Sequence, residues 1–230
     1  AAPLFEYHSV QAQVSYTPWQ SSIADGYYLL SLGGYVKLGQ KHALSIGGRW
    51  FQEPKLAGLE VGLDGYPFIP KDENGNIISL GTTRPNGKAI DLAYAYKVCD
   101  HLGLSLTARY IHYSNGIGDK SNAVDFDVAA YSSIPLSMLE GSNVTIGAQV
   151  ANLGFAFGEN KYAQPITAKA GAALFAPFSD SHSLTATVNA GYRFNSTAMK
   201  SFIANAGLEY SLMQLIKVRA GYAYDIYNYA

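Results

Sequence analysis

The chain has 230 residues, a formal net charge of -1, 48% hydrophobic and 14% charged residues. That length bounds it to one domain, and the charged fraction lies far below the roughly 25% of ordinary soluble domains. The near-zero net charge excludes the basic footprint of a nucleic-acid binder. The lone cysteine, Cys99, excludes a disulfide within the chain, and no run of about 18 apolar residues supplies a transmembrane helix.

Apolar residues instead alternate with small or polar ones in segments of about ten, the pattern of a transmembrane β-barrel. Strands are predicted over residues 7–16, 27–38, 42–51, 88–98, 102–114, 123–134, 143–151, 166–175, 183–194, 201–210 and 215–224. In the fifth, Leu102, Leu104, Leu106, Ala108 and Tyr110 share one face, and Gly103, Ser105, Thr107 and Arg109 share the other. One face suits lipid and the other a wet lumen.

The connections fall into two alternating sets. Residues 39–41, 99–101, 135–142, 176–182 and 211–214 are mostly tight, whereas 17–26, 52–87, 115–122, 152–165 and 195–200 include all the long ones. Bacterial barrels keep short turns in the periplasm and long loops outside, so the second set is expected to be extracellular. Tyr16, Trp50, Tyr110, Tyr192, Phe194, Tyr222 and Tyr224 then crowd the outer rim, and Tyr94, Tyr96 and Tyr210 the inner one. They form the two aromatic belts of a membrane protein. The first and last strands both run outward, so residues 1–230 are expected to be one outer-membrane barrel domain, incomplete at both ends.

Lumen-facing charges of both signs recur: Arg49, Asp91, Lys97, Arg109, Asp125, Asp127, Lys169, Arg193, Glu209, Lys217 and Arg219. Mixed charge of this kind fills a wet barrel rather than building a single-sign selectivity ring. Asp125 and Asp127 share a face, yet no histidine or cysteine shares their strand, so neither a metal site nor a cofactor is expected. The 52–87 loop carries four prolines together with Tyr66, Phe68 and Ile69, enough apolar surface for a lid or a protein-binding face. Trp19, Tyr66, Phe68, Phe155, Phe157 and Tyr162, in the long loops, are the candidate partner-binding residues.

His112, Ser114 and Asn115 resemble the His-x-Ser-Asn motif of PagL-type lipid A deacylases, in which a lipid-facing histidine activates a serine. The parity is right, but the next strand offers Val124, Phe126 and Val128 where an orienting acid is needed. His112 and Ser114 are therefore weak catalytic candidates, and no enzymatic activity is expected.

Several segments in order resemble PorV, the outer-membrane protein of Bacteroidetes type IX secretion and a distant relative of FadL-type barrels. They are Val14-Ser15-Tyr16-Thr17-Pro18-Trp19; residues 32–37 leading into 42–51; Ala89-Ile90-Asp91-Leu92-Ala93-Tyr94; Arg109-Tyr110-Ile111; and Arg219-Ala220-Gly221-Tyr222. The resemblance implies an all-β antiparallel transmembrane barrel of about fourteen strands, an even number as in bacterial barrels, with about eleven in this chain. It implies a non-enzymatic function in the bacterial outer membrane: a shuttle or scaffold that binds the folded signal domain of secreted cargo and docks on the translocon. Outer-membrane lipid and lipopolysaccharide are the expected surroundings. The 52–87 loop is longer than the family's. The alternatives are a FadL-like channel for hydrophobic small molecules and an accessory subunit of another outer-membrane machine. A channel needs a continuous apolar pocket with a few polar anchors.

Overall fold

A computed structural model describes residues 1–18, 26–57, 60–61, 67–68, 70–76, 82–116, 119–137, 140–158, 161, 164–194, 200–213 and 215–228. After a 3-10 helix at Ala2–Phe5 the described chain is strand and turn: β1 Val10–Pro18, β2 Tyr28–Leu38, β3 His42–Gln52, β4 Leu56–Ala57, β5 Glu60–Val61, β6 Pro67–Phe68, β7 Thr82–Thr83, β8 Asn86–Cys99, β9 Leu102–Ser114, β10 Lys120–Pro135, β11 Asn143–Phe157, β12 Thr167–Ser179, β13 His182–Arg193, β14 Lys200–Leu212 and β15 Ile216–Asn228.

The eleven long strands form one antiparallel sheet in the order β1-β2-β3-β8-β9-β10-β11-β12-β13-β14-β15. Each pairs with its neighbour in sequence, which short turns permit; Gly39, at φ 72°, takes the left-handed conformation in the β2–β3 turn. No pairing joins β1 to β15 among the described residues, so the sheet is open and these strands alone do not close a barrel. All eleven expected strands are present. The main differences lie at ends: β1 begins at Val10 because residues 7–9 lead out of the 3-10 helix, and β11 runs six residues past its expected end, from Ala151 to Phe157.

Strand alternation gives the sheet two unlike faces. Leu104, Leu106, Ile90, Leu92, Ile46, Val128 and Val188 lie on one, each exposed by 45 to 60%. The other carries Gly, Ala, Ser, Thr and the charged residues. Among the described residues the buried hydrophobic side chains are few, one leucine and three alanines: Leu4, Ala43, Ala95 and Ala123. A water-soluble domain buries its large apolar side chains, and this sheet displays them.

Leu4 packs with Ala43 and Ala95 on the polar face. Around it, the Lys37 ammonium donates to Glu6 O, Tyr35 Oη donates to His8 O, and the Phe5 ring meets Tyr131 with centroids 5.3 Å apart. A Cβ at Gly103 would meet Leu4 and Phe5. One short segment thus touches β2, β3, β8, β9 and β10. Side chains from β1 through β11 of the sheet, among them Gln11, Ser45, Asp91, Thr107, Asp127 and Gln149, wall one cavity on this side, so the polar face is concave. The helix sits at the short-turn end.

The 52–87 loop folds partly on itself. β4 pairs with β7, and β5 with β6 inside them. Gln52 Nε2 and Glu53 N both donate to Pro85 O, at 2.9 and 3.0 Å, closing the loop at its base. At its turn the Asp72 carboxylate accepts from Asn74 N and from the backbone and side chain of Asn76, donations that hold it below the usual carboxylate range.

Candidate functional site

Register brings together charges that lie far apart in sequence. Arg109 on β9 faces Asp91 on β8 and Asp125 on β10. Its guanidinium donates from Nε to Asp91 Oδ1 at 2.5 Å, from Nη2 to Asp127 Oδ2 at 2.8 Å and from Nη1 to Asn152 Oδ1 at 3.1 Å. Arg49 on β3 closes on Asp91 from the other side, with Nη2 2.8 and 3.0 Å from the two oxygens. Two guanidinium groups and two carboxylates therefore alternate across four strands, from β3 to β10, and Asn152 extends the network to β11. The planar fork of Arg109 can satisfy three directions at once, which an ammonium could not do in one plane.

A β-bulge finishes the network. Between the pairs Phe126↔Leu153 and Val128↔Val150, β11 holds one more residue than β10. Asn152 takes φ 62°, a conformation that asparagine tolerates better than most side chains. Its N–H donates to Asp127 Oδ1 at 2.9 Å and its Nδ2 to Pro165 O at 2.9 Å, while Gln149 Nε2 lies 3.3 Å from Asp127 Oδ2. Asp127 is thus spent on the bulge and on Arg109. Asp125, expected to act alongside it, is fully buried, and neither of its oxygens has a hydrogen-bond partner among the described residues. Gly154 packs directly against it: a Cβ there would overlap Val124 O and Asp125 Oδ1.

The network divides the concave face. On the short-turn side lies a cavity of about 600 Å³ walled by polar and small groups such as Gln11, Gln13, Ser15, Ser31 and Thr107. On the long-loop side lies one of about 660 Å³ walled by Tyr27, Leu29, Phe51, Ala89 and Ile111. Arg49 and Arg109 border both. Chemically, this is an apolar vestibule standing on an ionic floor.

Of the expected partner-binding residues, Trp19, Tyr66 and Tyr162 lie outside the described residues, and Phe68 belongs to β6. Phe155 and Phe157 are not in a loop: β11 carries them on the apolar face, their rings 6.3 Å apart, with Tyr110 6.5 Å from Phe157. His112 and Ser114 share a face but serve different neighbours. His112 Nδ1 is 2.9 Å from Asn122 Oδ1, and Ser114 Oγ accepts from Gly116 N at 3.3 Å. Asp119, the nearest acid in sequence, accepts from Asn115 Nδ2. No cluster of His, Cys, Asp and Glu able to hold a metal ion occurs among the described residues. The sequence reading missed Asn152 and Gly154. The signal was there as Asn-Leu-Gly at the end of an alternating run, two residue types that accept unusual backbone angles at a bulge.

No protein-family model matches the chain, and no curated protein matches it.

Proposed function

We propose that this chain is the membrane-embedded part of a PorV-type outer-membrane β-barrel, a non-enzymatic scaffold that receives a secreted protein domain at its outer rim and holds it for a translocon. The observation that carries this reading is the ionic floor. It crosses the concave face from Arg49 to Asn152 and leaves an apolar vestibule on the long-loop side. A conduit for hydrophobic small molecules needs apolar lining through the wall-to-wall span of the lumen, and this lining stops at two arginines and two aspartates. A recess that ends in a floor suits a docked side chain or loop of a protein client. Display of large apolar residues on the opposite face supports the lipid-embedded placement, because a sheet spans a bilayer only with its backbone paired and its outer face apolar.

The client would meet the rim through the vestibule, the 52–87 loop and the aromatic residues Trp19, Tyr66, Phe68 and Tyr162. Replacing residues 53–86 by a tight glycine-containing turn tests this. The barrel is expected to assemble normally, with unchanged heat-modifiable migration, because surface loops tolerate changes of length. Co-purification of client and translocon from mild detergent is expected to fall. If the shortened protein retains every partner at the wild-type level, the loop is not the docking element.

A further inference from the structure

The apolar face is not uniformly apolar. Its register runs as a continuous row across the strands: Tyr16, Leu30, Trp50, Lys88, His112, Asn122, Phe157. The row beneath reads Leu32, Gly48, Ile90, Tyr110, Val124, Phe155 and holds no charge. The row above brings Ser114 opposite Lys120. Among the residues whose side chains are described, Lys88 and Lys120 are the only charged ones in the strands of this face. Both are cations, both are exposed, both sit at the long-loop end, and neither makes an ion pair among the described residues. The polar face, by contrast, answers nearly every cation of its network with a carboxylate.

The surroundings of the two lysines are built rather than incidental. Lys88 Nζ stands 5.2 Å over the Trp50 ring, a cation–π contact that steers it along the face. Asn122 Oδ1 accepts from Tyr110 Oη at 2.8 Å and meets His112 Nδ1 at 2.9 Å, leaving its amide N–H groups as donors between the lysines. Strand spacing and rise put the Lys88 and Lys120 Cα atoms about 12 Å apart. Below them, Ile90, Leu92, Phe126 and Phe155 are exposed by 41 to 64%.

We propose that this notch binds one phosphorylated glucosamine lipid of the lipid A type, its phosphates on Lys88 and Lys120 and its acyl chains along Ile90, Leu92, Phe126 and Phe155. The proposal rests on the outer-membrane reading above, which puts the long-loop end in the leaflet that contains such lipids. Charge selects the occupant: an ammonium at a membrane interface with no acid on its own face takes its counter-ion from the lipid headgroups. A two-phosphate headgroup suits two separated cations, and the many acyl chains suit an apolar strip several strands wide.

Native mass spectrometry of the detergent-purified chain tests this with three probes: bisphosphorylated lipid A, the same lipid after phosphatase treatment, and phosphatidylglycerol. Wild type and the charge-conserving Lys88→Arg/Lys120→Arg variant are expected to bind lipid A alike. Lys88→Gln/Lys120→Gln is expected to bind it about tenfold more weakly through loss of charge-assisted hydrogen bonds. The dephosphorylated lipid is expected to bind weakly to all three. Equal binding by the wild type and the Gln variant overturns the site, and equally tight, lysine-dependent binding of phosphatidylglycerol overturns the choice of lipid. Membrane fractionation separates the two levels of argument. A chain absent from outer membranes overturns the proposed function, whereas a chain present there with lysine-independent lipid binding overturns only this notch.

Discussion

On the concave face Arg109 alone ties β9 to β8, β10 and β11 through Asp91, Asp127 and Asn152. On the convex face Leu106, three residues before Arg109, lies opposite Tyr94 and Val128 and stands half exposed. The same backbone ladder therefore carries two chemically unlike sets of side chains. The polar face carries specific, directional side-chain partners across the strands, and the apolar face carries no charged side chains apart from its two lysines among the residues whose side chains are described. A change on the first face is expected to act through lost partners, and a change on the second through transfer into lipid.

The largest effect is expected from Asp127→Ala. It strips Arg109 of one carboxylate and Asn152 N–H of its acceptor, and breaking a largely buried pair from one side costs about 3 to 5 kcal/mol. The urea midpoint of the protein folded into lipid vesicles reads this, and an unchanged midpoint would show that the network is ornamental. Next comes the paired test of the two faces. On the proposed membrane placement, Leu106→Arg puts a charge on the lipid side and is expected to cost roughly 2 to 4 kcal/mol, while the neighbouring Thr107→Arg enters the wet side and is expected to be tolerated. Equal assembly yields for the two would erase the distinction between the faces. The smallest effect is expected at Asp125. Its carboxylate has no hydrogen bond to lose among the described residues, so Asp125→Asn is expected to change stability by less than about 1 kcal/mol, in either direction. A loss as large as that of Asp127→Ala would place Asp125 inside the network after all.

Much of this architecture was legible in the chain, since period-two alternation over long segments is a local property. It located eleven strands, sorted tight turns from long connections, and assigned Arg49, Asp91, Arg109, Asp125 and Asp127 to one face. What it could not supply was partnership. Which carboxylate meets which guanidinium depends on the register between strands, and Asp91 and Arg109 lie opposite each other only because β8 and β9 are aligned as they are. Asp125 and Asp127 look equivalent in sequence, yet Asp127 accepts several hydrogen bonds and Asp125 accepts none among the described residues. The 3-10 helix escaped notice for the same reason: four residues carry no period, and its position is set by Ala43, Ala95 and Gly103 far down the chain. Asn152 was read as the start of a loop because alternation fails there.

That failure has an arithmetic consequence. Gln149 and Ala151 belong to the concave side, so simple counting would send residues 153, 155 and 157 the same way. The extra residue in β11 shifts the count by one, and Leu153, Phe155 and Phe157 emerge opposite Phe126, Val124 and Asn122 on the convex side instead. The bulge is a phase shifter. A single inserted residue moves the upper third of one strand from the concave polar face to the convex apolar face without altering any of its side chains. Removal of one residue at this point would turn two phenylalanines inward and present Gly154 and Ala156 to the outside. Along such a strand, a one-residue insertion or deletion is a larger change of surface chemistry than most substitutions.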